Sequence, residues 1–422
     1  MNLILLLLNS TVIIGNIEGI ISPITANYVE RVIEKAEETE TEAIVFLLDT
    51  PGGLMNAMRD IVKYELNSSV PIIIYVYPSG ASDASAGVFL TYAAHIAAMT
   101  PGTNLGAAHP VAISPQGIGG GEEKKTDDTM MEKATEDAAA YLRGIAKKRN
   151  RNINWAEKAV RESVSATAEE ALELGIIDLL ASSVDELLEK IHGMEVELPD
   201  ESKKLNTKNA TKENIPMNFR EEFLKLISNP NIAYILFIVG VYGLIFEIRS
   251  PGAIIPGLLG ALCLILAFYS FQTLPINYAG VALIILGIAM FVMEVLTPTY
   301  GPLTIGGIVS MSIGSMMLIN SDLPFLQISK PLIFAVVGTT AAFLIFALGA
   351  AIKAMRAKPT SGKEGLTEES GEAVSDINSK SGKVFVRGEY WNAVSDKKIK
   401  NGTEIEVVEV NGLRLKVKKK EV

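Results

Sequence analysis

Two hydrophobic regimes follow one another along the chain. From Val12 to Val196, apolar runs of strand length alternate with stretches whose apolar residues recur every three or four positions. Val12 to Ile21 reads as a strand. Ser22 is a candidate helix cap with Pro23 at the first helical position, and Ile24, Tyr28, Val32 and Ala36 recur at helical spacing. A strand over 43–49, a helix over 54–67, a strand over 70–77 and a helix opening at Ser85 come next. Short βα units of this kind predict a largely parallel sheet flanked by helices, with ligands at the carboxyl ends of the strands. The polar, glycine-rich stretch 114–128 reads as a loop. A helix over 130–148 succeeds it, with Ala134, Ala138, Tyr141, Leu142 and Ile145 on its apolar face. Lys133 falls in the first turn of that helix, where the helix dipole disfavours a cation.

The second regime runs from 231 to 355 and holds only six charged residues, Glu247, Arg249, Glu294, Asp322, Lys330 and Lys353. A membrane span needs roughly 20 apolar residues. Turn-forming residues at Ser250-Pro-Gly, Leu274-Pro-Ile-Asn, Thr297-Pro-Thr-Tyr-Gly-Pro and Asn320-Ser-Asp-Leu-Pro cut the region into about five such helices. Lys353, Arg356 and Lys358 close the last one, which by the positive-inside rule places the C-terminal tail in the cytoplasm and, with an odd number of spans, residues 1–220 on the other side. Alternation of period two then returns, with turns at Asn401-Gly402 and Asn411-Gly412, and predicts a small OB-like β-barrel. Phe385, Tyr390 and Trp391 are expected in its core rather than on a base-stacking surface. The resulting division is an α/β domain over 1–197, a linker over 198–230, a membrane region over 231–355, a linker over 356–372 and the barrel over 373–422.

Composition sharpens this picture. The 422 residues are 49% hydrophobic, too apolar for a wholly soluble chain. The net charge of −10 is uneven, because residues 373–422 carry 11 Lys and Arg against 7 Asp and Glu. Nothing in this balance reads as nucleic-acid binding. Cys263 is the only cysteine, so an intrachain disulfide is excluded, and the three histidines, His95, His109 and His192, are too dispersed to suggest a metal site. No cofactor is expected. Leu3 to Leu8 reads equally as a shortened signal segment or as the lead-in to the first strand.

Candidate chemistry lies at two predicted strand ends, Leu48-Asp-Thr-Pro-Gly52-Gly53 and Tyr77-Pro-Ser-Gly-Ala-Ser-Asp-Ala-Ser85-Ala-Gly87. A serine at a strand-to-helix corner sits at the positive end of the helix, where unpaired N–H groups can stabilise an oxyanion. The N–H of Gly53, with no side chain in the way of a ligand, can complete such a hole with that of Ala86. Ser85 could instead serve only as a helix cap, Lys133 could be a solvated lysine, and Asp49 reads as a turn cap. His109, 24 residues beyond Ser85, is an alternative base or a histidine bonded to backbone.

The motifs Asp49-Thr-Pro-Gly-Gly53, Ala84-Ser85-Ala86-Gly87, Pro101-Gly102-Thr103 and Gly106-Ala-Ala-His-Pro110, together with a Gly-Lys-Val…Gly-Glu-Tyr-Trp-Asn-Ala tail, resemble the long form of the NfeD family of membrane-bound serine proteases. The resemblance covers nearly the whole chain. It implies a Clp protease or crotonase-like fold, a serine–lysine dyad of Ser85 and Lys133, an oxyanion hole from Gly53 and Ala86, a stomatin-like membrane partner, hydrophobic polypeptide substrates and a homo-oligomer. The chain departs from that pattern at Asp83, two residues before the serine, where a small residue is expected. Two other readings stay open at this point: a non-catalytic membrane scaffold and a crotonase-like acyl-CoA enzyme.

Overall fold

A computed structural model describes residues 10–111, 123–250, 252, 254–272, 274–297, 301–319, 321, 326–356 and 365–420. The first part of the chain runs β1 (Thr11–Glu18), α1 (Pro23–Glu38), β2 (Ala43–Asp49), α2 (Met55–Asn67), β3 (Ile72–Val76), β4 (Ser82–Ala84), α3 (Ala86–Ala93), β5 (Ile96–Met99) and β6 (Asn104–Gly106). It continues with α4 (Glu123–Lys148), α5 (Ile153–Arg161), β7 (Ser165–Thr167), α6 (Ala168–Glu173), β8 (Leu179–Leu180), α7 (Val184–Ile191), β9 (Glu195–Glu197), β10 (Ser202–Lys204) and β11 (Thr211–Asn214).

Six strands form one parallel sheet in the order β11-β1-β2-β3-β5-β8. Because side chains alternate between the faces of a strand, each central strand feeds two cores. Ile44, Phe46 and Leu48 of β2 and Ile72, Ile74 and Val76 of β3 pack on one side, whereas Val45, Ile73 and Tyr75 pack on the other. Burial on both faces is why these strands read as continuous apolar runs. Ser22 caps α1 through a capping box with Thr25, behind Pro23, as its sequence predicts. The α/β fold is therefore as expected.

Two local differences have physical causes. The helix expected to open at residue 130 begins at Glu123, since charged residues such as Glu, Lys and Asp are compatible with helix despite their polarity; residues 114–122 of the expected loop lie outside the described residues. The stretch read as a linker carries β10, β11 and a helix, α8 (Phe219–Ile227). Strand β11 pairs in parallel with β1, and Tyr28 closes the same edge by donating its hydroxyl to the Ile215 carbonyl at 2.6 Å.

Beyond α8 the chain forms α9 (Pro230–Arg249), α10 (Ile255–Phe271), α11 (Tyr278–Leu296), α12 (Pro302–Met317) and α13 (Lys330–Arg356). Among the described residues, α9 and α11 are long and apolar enough to cross a membrane, and α10, α12 and the Lys330–Phe346 part of α13 are shorter apolar segments. Tyr234 of α9 and Ser315 of α12 share a hydroxyl–hydroxyl hydrogen bond of 2.8 Å, one way to satisfy polar groups among apolar helices.

The barrel is built from β12 (Ser370–Ala373), β13 (Lys383–Val386), β14 (Glu389–Val394), β15 (Glu404–Asn411) and β16 (Arg414–Lys419). It closes in the order β12-β13-β14-β16-β15, with β14 and β16 parallel, the connectivity of an OB-like barrel. Its core is aliphatic, with Val384, Val386, Ile405, Val407, Leu415 and Val417 buried. Here the expectation for the aromatics is corrected. Phe385 and Tyr390 are exposed and face each other across β13 and β14 at a ring distance of 5.0 Å, and only Trp391 packs against the core. Strand alternation decides this, because Val384 and Val386 take the inward positions on either side of Phe385.

Candidate active site

The glycine pair and the serine corner meet at the carboxyl ends of neighbouring strands. Leu48 of β2 lies beside Val76 of β3, and Thr50 bridges to Asp83 of β4. The connection is made by backbone: Thr50 N–H donates to the Ser82 carbonyl at 2.7 Å and Ala84 N–H to the Thr50 carbonyl at 3.0 Å. Asp49 fixes the same junction by accepting from Ser82 N–H at 3.0 Å. Its role is that of a turn anchor.

Ser85 stands at φ 54° and ψ −110° between β4 and α3, a region that costs a non-glycine residue of order 1–3 kcal/mol. Its N–H is tied to the Gly106 carbonyl at 3.0 Å, and its hydroxyl makes no capping bond to α3. The capping role is thereby excluded, and the hydroxyl is left for other work.

Gly52 lies against this serine with φ +115°, so close that a Cβ there would sit 2.6 Å from the Ser85 Cβ and 3.1 Å from its Oγ. The Gly52 carbonyl accepts from Ile21 N–H at 2.9 Å and Leu54 N–H donates to the Ile21 carbonyl at 2.8 Å. Between these bonded neighbours, the N–H of Gly53 has no acceptor among the described residues, and neither does that of Ala86 at the first position of α3. Two free amide donors thus border the Ser85 corner, the composition an oxyanion hole requires.

Beneath the corner lies acid. Asp83 is fully buried; its Oδ2 accepts from the Thr91 hydroxyl at 2.7 Å, and its Oδ1 has no partner among the described residues. A Cβ on Gly87 would fall 2.1 Å from that Oδ1, so only glycine fits beside it. Burial pushes the Asp83 carboxyl up to about 7, against the opposing Thr91 hydrogen bond. Glu65 of α2 is also fully buried, with both carboxyl oxygens unpartnered among the described residues. Burial raises its pKa well above the carboxylate range; Arg149 opposes this, Asp83 adds to it and Arg151 opposes it. Sequence reading missed Glu65, although its spacing from Ala57, Met58, Ile61 and Val62 places it on the buried stripe of α2.

The two candidate bases are placed differently. His109 is half-buried and its Nδ1–H donates to the Val160 carbonyl at 2.8 Å. Lys133 is exposed on α4. Since α4 begins at Glu123, Lys133 stands nearly three turns inside the helix, and the dipole penalty expected for a first-turn lysine does not arise. Among the described residues, neither side chain is hydrogen-bonded to Ser85. Helix α4 packs onto α3 through a Phe89–Tyr141 ring stack, and the Arg59 guanidinium of α2 lies over the Tyr141 ring, 4.8 Å from its centroid. Among the described residues no group of three His, Cys, Asp or Glu side chains could hold a metal ion.

A strained serine with an uncommitted hydroxyl beside two free amide donors is the composition of a serine hydrolase site, and the same chain carries helices of membrane-crossing length. Known proteins give the class its family. The model of the NfeD1b N-terminal domain matches residues 11–199, that of the NfeD integral membrane domain 231–350, and that of the NfeD-like C-terminal, partner-binding domain 363–419. The membrane-bound protease PH1510 of Pyrococcus horikoshii is 35% identical over 420 residues, covering 97% of this chain and 93% of that protein. The membrane protein NfeD1b of Bacillus subtilis is 27% identical over 327 residues, 76% of this chain and 69% of that one. Among solved structures, a lysine-to-alanine mutant of a membrane-bound stomatin-specific protease in complex with a substrate peptide is 33% identical, covering 52% of this chain and 99% of its own, with a TM-score of 0.46. A serine-to-alanine mutant of that protease is 34% identical over 50% of this chain and all of its own, with a TM-score of 0.45. The chain belongs to the NfeD family, and it is a membrane-bound serine peptidase.

Proposed function

We propose that the chain is an endopeptidase that cleaves hydrophobic polypeptide segments of a stomatin-like membrane partner, with Ser85 as nucleophile and Lys133 as general base. The observation that carries this reading is Ser85 itself, held at φ 54° with its hydroxyl unspent beside the Gly52 backbone. The Ser85 Oγ attacks the scissile carbonyl and its proton passes to the Lys133 amine. The oxyanion is held by the N–H groups of Gly53 and Ala86, and the lysine returns the proton to the leaving amine; water then hydrolyses the acyl-enzyme. A lysine serves as a base when its ammonium is desolvated. Lys133 is exposed on the single chain, so on this reading its cover comes from the bound peptide or from a second copy in a homo-oligomer.

Two observations support the substrate class. The relatives at about one-third identity include a protease described as stomatin-specific. An open cavity of about 540 Å³ also includes Leu54, one residue past Gly53; its lining combines apolar residues, Ile20, Met217, Leu226, Leu274 and Leu326 among them, with polar ones such as Asn16, Glu18, Glu222 and Lys225. Its apolar part can seat hydrophobic side chains of a peptide. We further propose that the spans number five, leaving the peptidase domain outside the cytoplasm and the barrel within it, on the strength of Lys353, Arg356 and Lys358.

The test is labelling of the detergent-solubilised chain with a peptidyl phosphonate. One label per chain is expected, absent from Ser85→Ala, together with loss of hydrolysis of apolar peptides. Undiminished hydrolysis by Ser85→Ala would refute the assignment. Coenzyme A binding without labelling would point instead to an acyl-CoA enzyme, and neither result to a scaffold.

A further inference from the structure

Helix α8 joins the peptidase domain to the membrane region and carries an exposed apolar face that ends, at Leu226, on the rim of the cavity described above. Phe219, Phe223 and Leu226, at spacings of four and three, lie on one side of it, and Phe219 is 85% exposed, Leu226 57% and Phe223 39%. The two phenyl rings stack on each other at 6.4 Å. This face cannot roll inward, because the opposite one is anchored. Glu221 is buried and gripped by Arg31 of α1 through two bonds, Nε to Oε1 at 2.8 Å and Nη2 to Oε2 at 2.7 Å. Asn218 and Glu221 close a capping box at the start of the helix, Ile227 is buried, and Lys225 donates to the Glu18 carbonyl at 2.8 Å.

The next helix sets the position of this face. Only Ser228 and Asn229 separate α8 from α9, a 20-residue helix of membrane-crossing length and composition. The C-terminal end of α8 is therefore within a few ångströms of the bilayer boundary. Water on two stacked phenylalanines and a leucine is unfavourable, whereas the boundary between headgroups and acyl chains accepts them.

We propose that α8 is an interfacial helix, whose Phe219, Phe223 and Leu226 insert into the same bilayer surface that α9 enters. The peptidase domain is then docked on the membrane and not merely tethered to it. Since Leu226 also lines the cavity that includes Leu54, docking brings the mouth of that cavity to headgroup level.

The experiment uses the full chain carrying Cys263→Ala, spin-labelled at Phe219→Cys, Phe223→Cys or Lys208→Cys and reconstituted into vesicles of phosphatidylcholine with phosphatidylglycerol. Lys208 is exposed just before β11, at the end of the sheet opposite the Glu18 carbonyl that α8 grips, and serves as the aqueous reference. Labels at 219 and 223 should favour collisions with oxygen over those with a water-soluble nickel chelate by severalfold, and the label at 208 should show the reverse. A nickel accessibility at 219 and 223 equal to that at 208 would overturn the proposal, as the face would be in water. Shielding of 219 and 223 from both reagents would also overturn it, as a protein surface or a second copy would be the occupant. As a check without labels, Phe219→Trp should be quenched by brominated phosphatidylcholine well beyond the unsubstituted chain, whose tryptophans are Trp155 and Trp391; equal quenching would contradict insertion.

Discussion

At the scale of single residues, the acid buried beside Ser85 gives the sharpest expectation. Asp83 titrates near 7 when folded and near 3.8 when unfolded, so the folded state holds its proton more tightly. The stability linked to that proton is fully present below about pH 4 and is lost as the pH rises through about 7. Asp83→Asn removes the ionisable group and should raise the thermal midpoint of the domain more at pH 8 than at pH 5. The ceiling on the difference is about 3 kcal/mol, because only the roughly two pH units between 5 and the raised pKa contribute, at 1.36 kcal/mol each; an equal gain at both pH values would mean that Asp83 ionises freely. The base is decided by a second pair of substitutions. Lys133→Arg keeps charge and approximate length but cannot release a proton in this range, so kcat/KM should fall by a factor of at least about 100, the usual worth of general-base catalysis. His109→Ala removes a ring whose Nδ1–H is already committed to Val160 and should stay within about tenfold of the parent. The opposite pattern in peptide hydrolysis would make His109 the base. The corner at Ser85 and the Gly52-Gly53 turn beside it were legible in the sequence because a strand-to-helix corner and a glycine pair are local features. Glu65 was not, because an acid on a helix reads as solvated until its neighbours are known.

At the scale of elements, the junction of β4 and α3 depends on one missing side chain. Gly87 is in the first turn of α3, where an alanine Cβ would meet the Asp83 Oδ1 at 2.1 Å and the Thr50 Cγ2 at 2.7 Å. Neither neighbour is free to retreat, since Thr91 holds the carboxyl and the Thr50 hydroxyl donates to the Gly19 carbonyl at 2.7 Å. Gly87→Ala should therefore destabilise the domain by about 1–3 kcal/mol, the usual range for overpacking a core. It should also lower activity through the displaced corner; a thermal midpoint unchanged within a degree would show that the corner tolerates the extra carbon. The elements themselves were largely readable, α1 from its Ser22 cap and Pro23 and β2 to the residue at 43–49. Boundaries failed where polarity was taken for a loop, as at Glu123, and where an edge strand lacked apolar residues. Strand β11 is exposed throughout, so Thr211–Asn214 carries no period-two signal and is a strand only because β1 offers it an edge.

At the scale of the whole molecule, the proposed topology makes its own prediction. In intact cells an impermeant thiol reagent should label Lys208→Cys in the peptidase domain and spare Leu413→Cys in the barrel, both in a Cys263→Ala background; the reverse pattern would invert the membrane orientation. The sequence alone determined that this chain joins a parallel α/β domain, an apolar helical region and a small β-barrel, because hydrophobic periodicity and charge depletion are properties of consecutive residues. It also determined the serine corner and the glycine pair, since each is a short run with its own turn chemistry. Tertiary structure decided the rest: that Ser85 is strained against Gly52, that Asp83 and Glu65 are fully buried, that His109 is bound to Val160, and that Phe385 and Tyr390 face outward from the barrel. Each of these depends on which distant residues a side chain meets, and burial and its electrostatic consequences arise only once the chain has packed.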